Sequence, residues 1–149
     1  MKLIQTLETH QLDYAVAMAL GYEYVLVPGL GSVWVPGVTR KSSRGGTDFM
    51  PFRGPALADM IDRCEGWPMH SRTIVWEPSR NRDQAMTLLE EHKLCVKIGH
   101  AGVWLAYRSQ NYEDEERFMT SGSTACEAIC RTFVRFMLRV DWVEEQKDL

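Results

Sequence analysis

Apolar residues along this chain recur with a helical period in some stretches and a strand period in others, and the order of those stretches leaves few folds open. Leu12, Ala15, Val16 and Ala19 fall at helical spacing, so residues 10–20 are expected to form a helix, with Thr9 as N-cap and Gly21 as its stop. Glu23-Tyr24-Val25-Leu26-Val27 has the β-branched and aromatic content of a strand. Pro28-Gly29-Leu30-Gly31 is turn chemistry, and Ser32-Val33-Trp34-Val35 reads as the returning strand, ended by Pro36-Gly37. Residues 38–54 then read as a loop. A second helix starts at Pro55, with Leu57, Met60, Ile61 and Cys64 in one stripe and Gly66 and Pro68 at its end.

The second half repeats the alternation. Residues 72–76 form the expected third strand. Residues 81–92 form a helix with Ala85, Leu88, Leu89 and His92 on one face. Leu94, Val96 and Ile98 alternate, Gly99-His100-Ala101-Gly102 turns, and Val103, Leu105 and Tyr107 alternate against Trp104, Ala106 and Arg108. Residues 111–116 make an acidic loop. The last helix, 124–140, opens on Thr124 and Glu127 at capping-box spacing. Its apolar face comprises Cys126, Ile129, Cys130, Phe133, Met137 and Val140, and residues 146–149 are expected to fray. Two hairpins joined by helices predict an α+β fold: a mainly antiparallel sheet of about five strands, covered by about four helices in a single layer. A chain of 149 residues, 45% hydrophobic, fits one domain over 1–149.

Charge narrows the partners. The net charge is −3, without the basic excess usual in a nucleic-acid binder, so nucleic acid is not the expected partner. The charge is uneven: eight Lys/Arg against five acids leave residues 40–82 at net +3, between acidic flanks. No apolar run approaches the roughly 20 residues of a membrane span. The start Met1-Lys2-Leu3-Ile4-Gln5 lacks a signal-peptide core, so no membrane partner and a cytoplasmic location are expected. Cys64, Cys95, Cys126 and Cys130 are then reduced, and none forms a Cys-x-x-Cys pair.

Five constellations could carry chemistry. Arg40-Lys41-Ser42-Ser43-Arg44-Gly45-Gly46 combines cations with glycines that let backbone N–H groups approach an anion. The plainer reading is a solvated loop, since no strand–loop–helix phosphate signature surrounds it. Asp48, within Thr47-Asp48-Phe49, is either a ligand contact or a loop tie. Cys126 and Cys130 have metal-ligand spacing but lie on an apolar stripe, and His10, His70, His92 and His100 are scattered, so neither a metal site nor a resident cofactor is expected. Trp34, Trp67, Trp76, Trp104 and Trp142 lack a common basic stripe and read as core or interface residues. Glu113-Asp114-Glu115-Glu116 reads as a solvated loop or a dock for a basic partner.

Three pieces of the chain, in order, resemble the NinX-like proteins, accessory products of lambdoid phages. Leu12-Asp13-Tyr14-Ala15-Val16-Ala17 is similar to the family's opening helix. Thr47-Asp48-Phe49 with Gly54-Pro55 resembles its Thr-Asp-Trp and Gly-Gly-Pro, and Gly122-Ser123-Thr124-Ala125 with Ala128 and Arg131 resembles its closing helix. Phe49 stands where the family has Trp, Arg53 where it has Gly, and residues 59–94 are longer than usual, as an insertion would be. The resemblance implies a phage or prophage origin rather than a mechanism. With no catalytic signature present, the leading expectation is a non-catalytic accessory protein that binds a host protein and counters host defence or metabolism. The alternative is a binder of a small anionic ligand, a nucleotide or cyclic-nucleotide signal. Arg40, Lys41, Arg44, Gly45 and Gly46 would hold its phosphate beside Asp48, and Trp34 or Phe49 would stack on its base. A third reading is a nucleotide-acting enzyme using Asp48 and a nearby histidine. Self-association is left open.

Overall fold

The computed structural model describes residues 1–28, 34–58, 74–108, 117–147 and 149. The α+β class with antiparallel strands holds. Among the described residues the strands divide over three sheets instead of one. β2 (Glu23–Pro28), β3 (Trp34–Lys41) and β4 (Thr47–Pro51) form the first sheet in chain order, with Tyr24 opposite Val38 and Val38 opposite Met50. β5 (Leu94–Ile98), β6 (Trp104–Arg108) and β7 (Thr120–Gly122) form the second. β1 (Lys2–Leu3) pairs with β8 (Trp142–Val143) in the third. The turn at 29–31, the helix stripe Met60, Ile61 and Cys64 with Gly66 and Pro68, the strand start at 72–73 and the acidic loop 111–116 lie outside the described residues, as do His70 and Trp67. Of the expected third strand, Trp76 makes an isolated parallel bridge to Phe52.

The helices sit between the two larger sheets. α3 (Ala125–Leu138) packs on β5, β6 and β7, and also against α1 (Thr9–Ala19) and α2 (Arg82–Glu91). Every residue from 128 to 134 is therefore buried, which no single apolar stripe requires. Leu12 and Val16 of α1, Ile129 and Phe133 of α3, Val38 and Met50 of the first sheet and Leu94 and Ala106 of the second share one core. Polar residues caught in it are bonded. Thr132 Oγ1 reaches the carbonyls of Ala106 and Phe118, and Arg131 donates to the carbonyls of Leu7 and Ser121 and to Glu127. Leaving such groups buried without partners costs about 1–3 kcal/mol each.

Helix ends follow local chemistry in two of three cases. Thr124 Oγ1 accepts from the Glu127 N–H at 3.2 Å, and Asn81 caps α2 through the Gln84 N–H. At α1 the N-cap is Glu8, not Thr9; no side chain caps it, and Thr9 lies in the left-handed region at φ 42°. The stop at Gly21 is as expected. At φ 79° Gly21 bonds back to Met18 while Tyr22 bonds to Ala17, the Schellman arrangement.

Several expectations are corrected. β3 does not end at Pro36-Gly37 but runs to Lys41, and residues 38–54 are largely strand, because β4 pairs with it through a short turn. Gly37 is required inside the strand: a Cβ there would lie 2.5 Å from the Phe49 ring and 2.6 Å from the Met50 carbonyl oxygen. α3 ends at Leu138 on Arg139 in the left-handed conformation, so Met137 and Val140 are exposed rather than core. Ile98 is also exposed, at the turn end of its hairpin. Gln146 is not frayed, since its backbone N–H and carbonyl both bond the Gln11 side chain.

Candidate functional site

The basic segment forms the tip of the β3–β4 hairpin. Arg40 and Lys41 end β3, and alternation along a strand sends them to opposite faces. Arg40 lies across from Asp48, Nε to Oδ2 at 3.7 Å. Three of the N–H groups that an anion nest would use are already engaged: Ser42 donates to Gly46, Gly45 to Ser42, and Arg44 to the Ser42 hydroxyl. Gly45 (φ 89°) supplies the turn, and a Cβ at Gly46 would meet open space.

Beside the hairpin lies an open groove of about 780 Å³, lined by Tyr22, Glu23, Arg40, Lys41, Thr47 and Asp48. Its charges balance, and Leu20 and Gly21 bring the carbonyl end of α1 to its wall. That end of a helix repels anions. The groove is thus poorly built for phosphate.

The aromatic residues expected to complete a nucleotide site are elsewhere. Trp34 begins β3, six residues from Arg40 and so roughly 20 Å away along the strand. Phe49 faces the opposite side of the sheet from Asp48, where its ring covers Gly37 and packs beside Val35 and Leu57. No histidine among the described residues joins Asp48. His10 is at the other end of α1, His92 stacks on Phe133 with ring centroids 4.8 Å apart, and His100 sits in the β5–β6 turn.

A second cleft, of about 460 Å³ and mostly apolar, opens at the N-terminal end of α1. Leu26, Trp34, Pro36 and Pro55 line it, with His10 and Arg53 as polar handles. Trp34 is 55% exposed there. Arg53 is clamped to Glu77 by two bonds, Nε to Oε2 at 2.7 Å and Nη2 to Oε1 at 3.0 Å, which raises its pKa further. His10 has its pKa lowered, by burial first and the nearby Arg80 second, against Glu77. It is therefore a neutral imidazole at pH 7, and its Nδ1 is enclosed with no partner among the described residues.

Behind this cleft lies a carboxyl that sequence reasoning treated only as part of a helix motif. Asp13 is 0% exposed. Its Oδ1 accepts the Ser79 N–H at 2.8 Å, its backbone carbonyl accepts the Trp76 indole N–H at 2.9 Å, and its Oδ2 has no partner among the described residues. Burial pushes its pKa up to about 7, against the pull of Ser79 and Arg80. Cys130, fully enclosed nearby, has its thiol pushed well above the usual value by burial and then by Asp13, which makes it a poor thiolate or ligand. Among the described residues no group of three or more His, Cys, Asp or Glu could hold a metal ion. No helix among them is long and apolar enough to cross a membrane. Arg53, Ser79 and His10 carried no pattern signal in the sequence; Asp13, beside Leu12 in an apolar stripe, was the visible clue.

No family model and no curated protein matches the chain. The resemblance to the NinX-like proteins stands on its three sequence pieces alone.

Proposed function

We propose that this chain is a binding protein, not a catalyst, and that it holds its partner by an apolar or aromatic group inserted beside Trp34. One observation carries the reading: the mostly apolar cleft with an exposed tryptophan at its mouth and only two polar handles. Tryptophan and arginine flanking an apolar pocket are the residues that dominate binding energy at protein interfaces. The handles favour an uncharged insert, because Arg53 is neutralised by Glu77 and His10 is neutral. A host protein is the partner class that the phage resemblance implies, with interference in host defence or metabolism as the outcome. The nucleotide alternative draws support from the cations of the hairpin alone, and is opposed by the engaged N–H groups and the helix end at that groove.

The test is capture of partners from bacterial lysate by the wild-type protein and by two variants. Trp34→Ala should weaken binding by more than about 2 kcal/mol, roughly 30-fold in Kd. Arg44→Glu should leave it unchanged. The reverse pattern, or a rise in Tm with nucleotides that Arg44→Glu abolishes, transfers the site to the hairpin. Capture of nothing specific by the wild-type protein removes the proposal.

A further inference from the structure

One residue of α1 holds both ends of a short segment, residues 76–79, that precedes α2. Asp13 binds the Ser79 N–H through its carboxyl and the Trp76 indole through its carbonyl. Between those points Glu77 grips Arg53 at the rim of the apolar cleft, and its backbone N–H is held by Gln84. Asp13 Oδ2 is enclosed without a hydrogen-bond partner among the described residues, while the Ser79 backbone N–H and hydroxyl both pull the carboxyl's pKa down against its burial. The titratable groups facing Asp13 are Glu77 and Arg80 from this segment and Cys130 from α3. His10 lies one turn before it on α1. An enclosed carboxyl with half of its capacity unused is well accommodated only while uncharged. Water would supply the missing bonds, and moving the segment off α1 would remove the Ser79 and Trp76 cover from the carboxyl.

We propose that Asp13 is a protonation-controlled latch: neutral, it keeps residues 76–80 closed on α1 and the Glu77–Arg53 clamp in place at the cleft, and ionised, it draws in water and releases both. The connection to the cleft rests on the binding reading above; the latch itself does not. The direction follows from linkage. Closed, the carboxyl titrates at about 7; opened to water it returns to its ordinary 3.8. The open fraction therefore grows by up to about tenfold per pH unit between those two values and levels off above the upper one. Cys130 stays a neutral thiol throughout. His10, held neutral in the closed state, favours opening in acid and works against this trend, so it is removed in a control.

The measurement is NMR hydrogen exchange on the whole chain, without any ligand, expressed as protection factors so that intrinsic pH dependence is removed. Ser79 N–H and the Trp76 indole N–H report the latch, and the Phe133 amide reports global unfolding. Between pH 5 and 7 protection at Ser79 and Trp76 is expected to fall at least tenfold, stay below that of Phe133, and level off by pH 8. His10→Gln should steepen the fall, and Asp13→Asn should abolish it. Flat protection in the wild-type protein overturns the latch, as does the same fall in Asp13→Asn or a fall identical to that of Phe133. Should Asp13→Asn fail to fold, the wild-type and His10→Gln profiles decide the matter. Exchange at the Arg53 Nε–H should accelerate in step with Ser79. If Ser79 opens while Arg53 does not, the link to the cleft is lost.

Discussion

At the scale of single residues, Asp13 makes a prediction independent of any partner. Its folded pKa lies above its ordinary value, so its contribution to stability is fully present below pH 3.8 and is lost as pH rises to about 7. A displacement of that size corresponds to roughly 2–4 kcal/mol at most. Asp13→Asn keeps an oxygen for the Ser79 N–H but cannot ionise. The unfolding free energy of the variant minus that of the wild-type protein should therefore grow by about that amount from pH 4 to pH 8, in urea titrations at each pH. A difference that stays constant with pH would show that the carboxyl is already hydrated in the folded state. The same residue illustrates what the sequence hides. Leu12, Val16 and Ile129 announce the core by spacing. The meeting of Asp13 with Ser79, 66 positions away, leaves no periodic trace.

At the scale of elements, the glycines of the first hairpin separate structure from presumed function. Gly37→Ala drives a methyl into the Phe49 ring and the Met50 carbonyl, and since the carbonyl is backbone the clash cannot be relieved by a rotamer. We expect a loss of about 2 kcal/mol or more, measured as a lower urea midpoint. Gly46→Ala meets open space and should change stability by less than about 0.5 kcal/mol. The pair Pro36-Gly37 reads as punctuation from sequence. It lies inside a strand because Pro36 is near the end of the β3–β4 ladder, where its carbonyl still accepts from Phe52, and because an aromatic ring fills the place of the missing side chain. β7 is Thr-Ser-Gly, too short and polar to show alternation, and is held by Arg131 and Gln5 from distant parts of the chain. The capped start of α3 and the β5–β6 hairpin were legible because their signals lie within a few residues of one another. The candidate site was legible only as isolated residues. Trp34 lines the apolar cleft instead of the hairpin groove, and Phe49 lies on the other side of the sheet from Asp48.

At the scale of the molecule, Arg131 joins three regions, since it is buried in α3 and donates to Leu7 before α1 and to Ser121 in β7. Arg131→Ala leaves those carbonyls and Glu127 without their partner. A loss of about 3–5 kcal/mol is expected, a large share of the stability of a domain this size, visible as a fall in Tm with the secondary structure otherwise intact below it. A loss under about 1 kcal/mol would mean that water replaces the guanidinium freely. The short ladder of β1 and β8 has a mechanical consequence. Lys2 faces Val143 and Leu3 faces Trp142, so residues 2–3 and 142–143 run side by side in opposite directions. Tension applied to the two ends of such a pair loads its bonds one after another instead of together, as in a zip fastener. Pulled in an optical trap, this protein should release the Gln146 contacts with Gln11 and then unzip β1 from β8, at low force, while the packed helices are still intact.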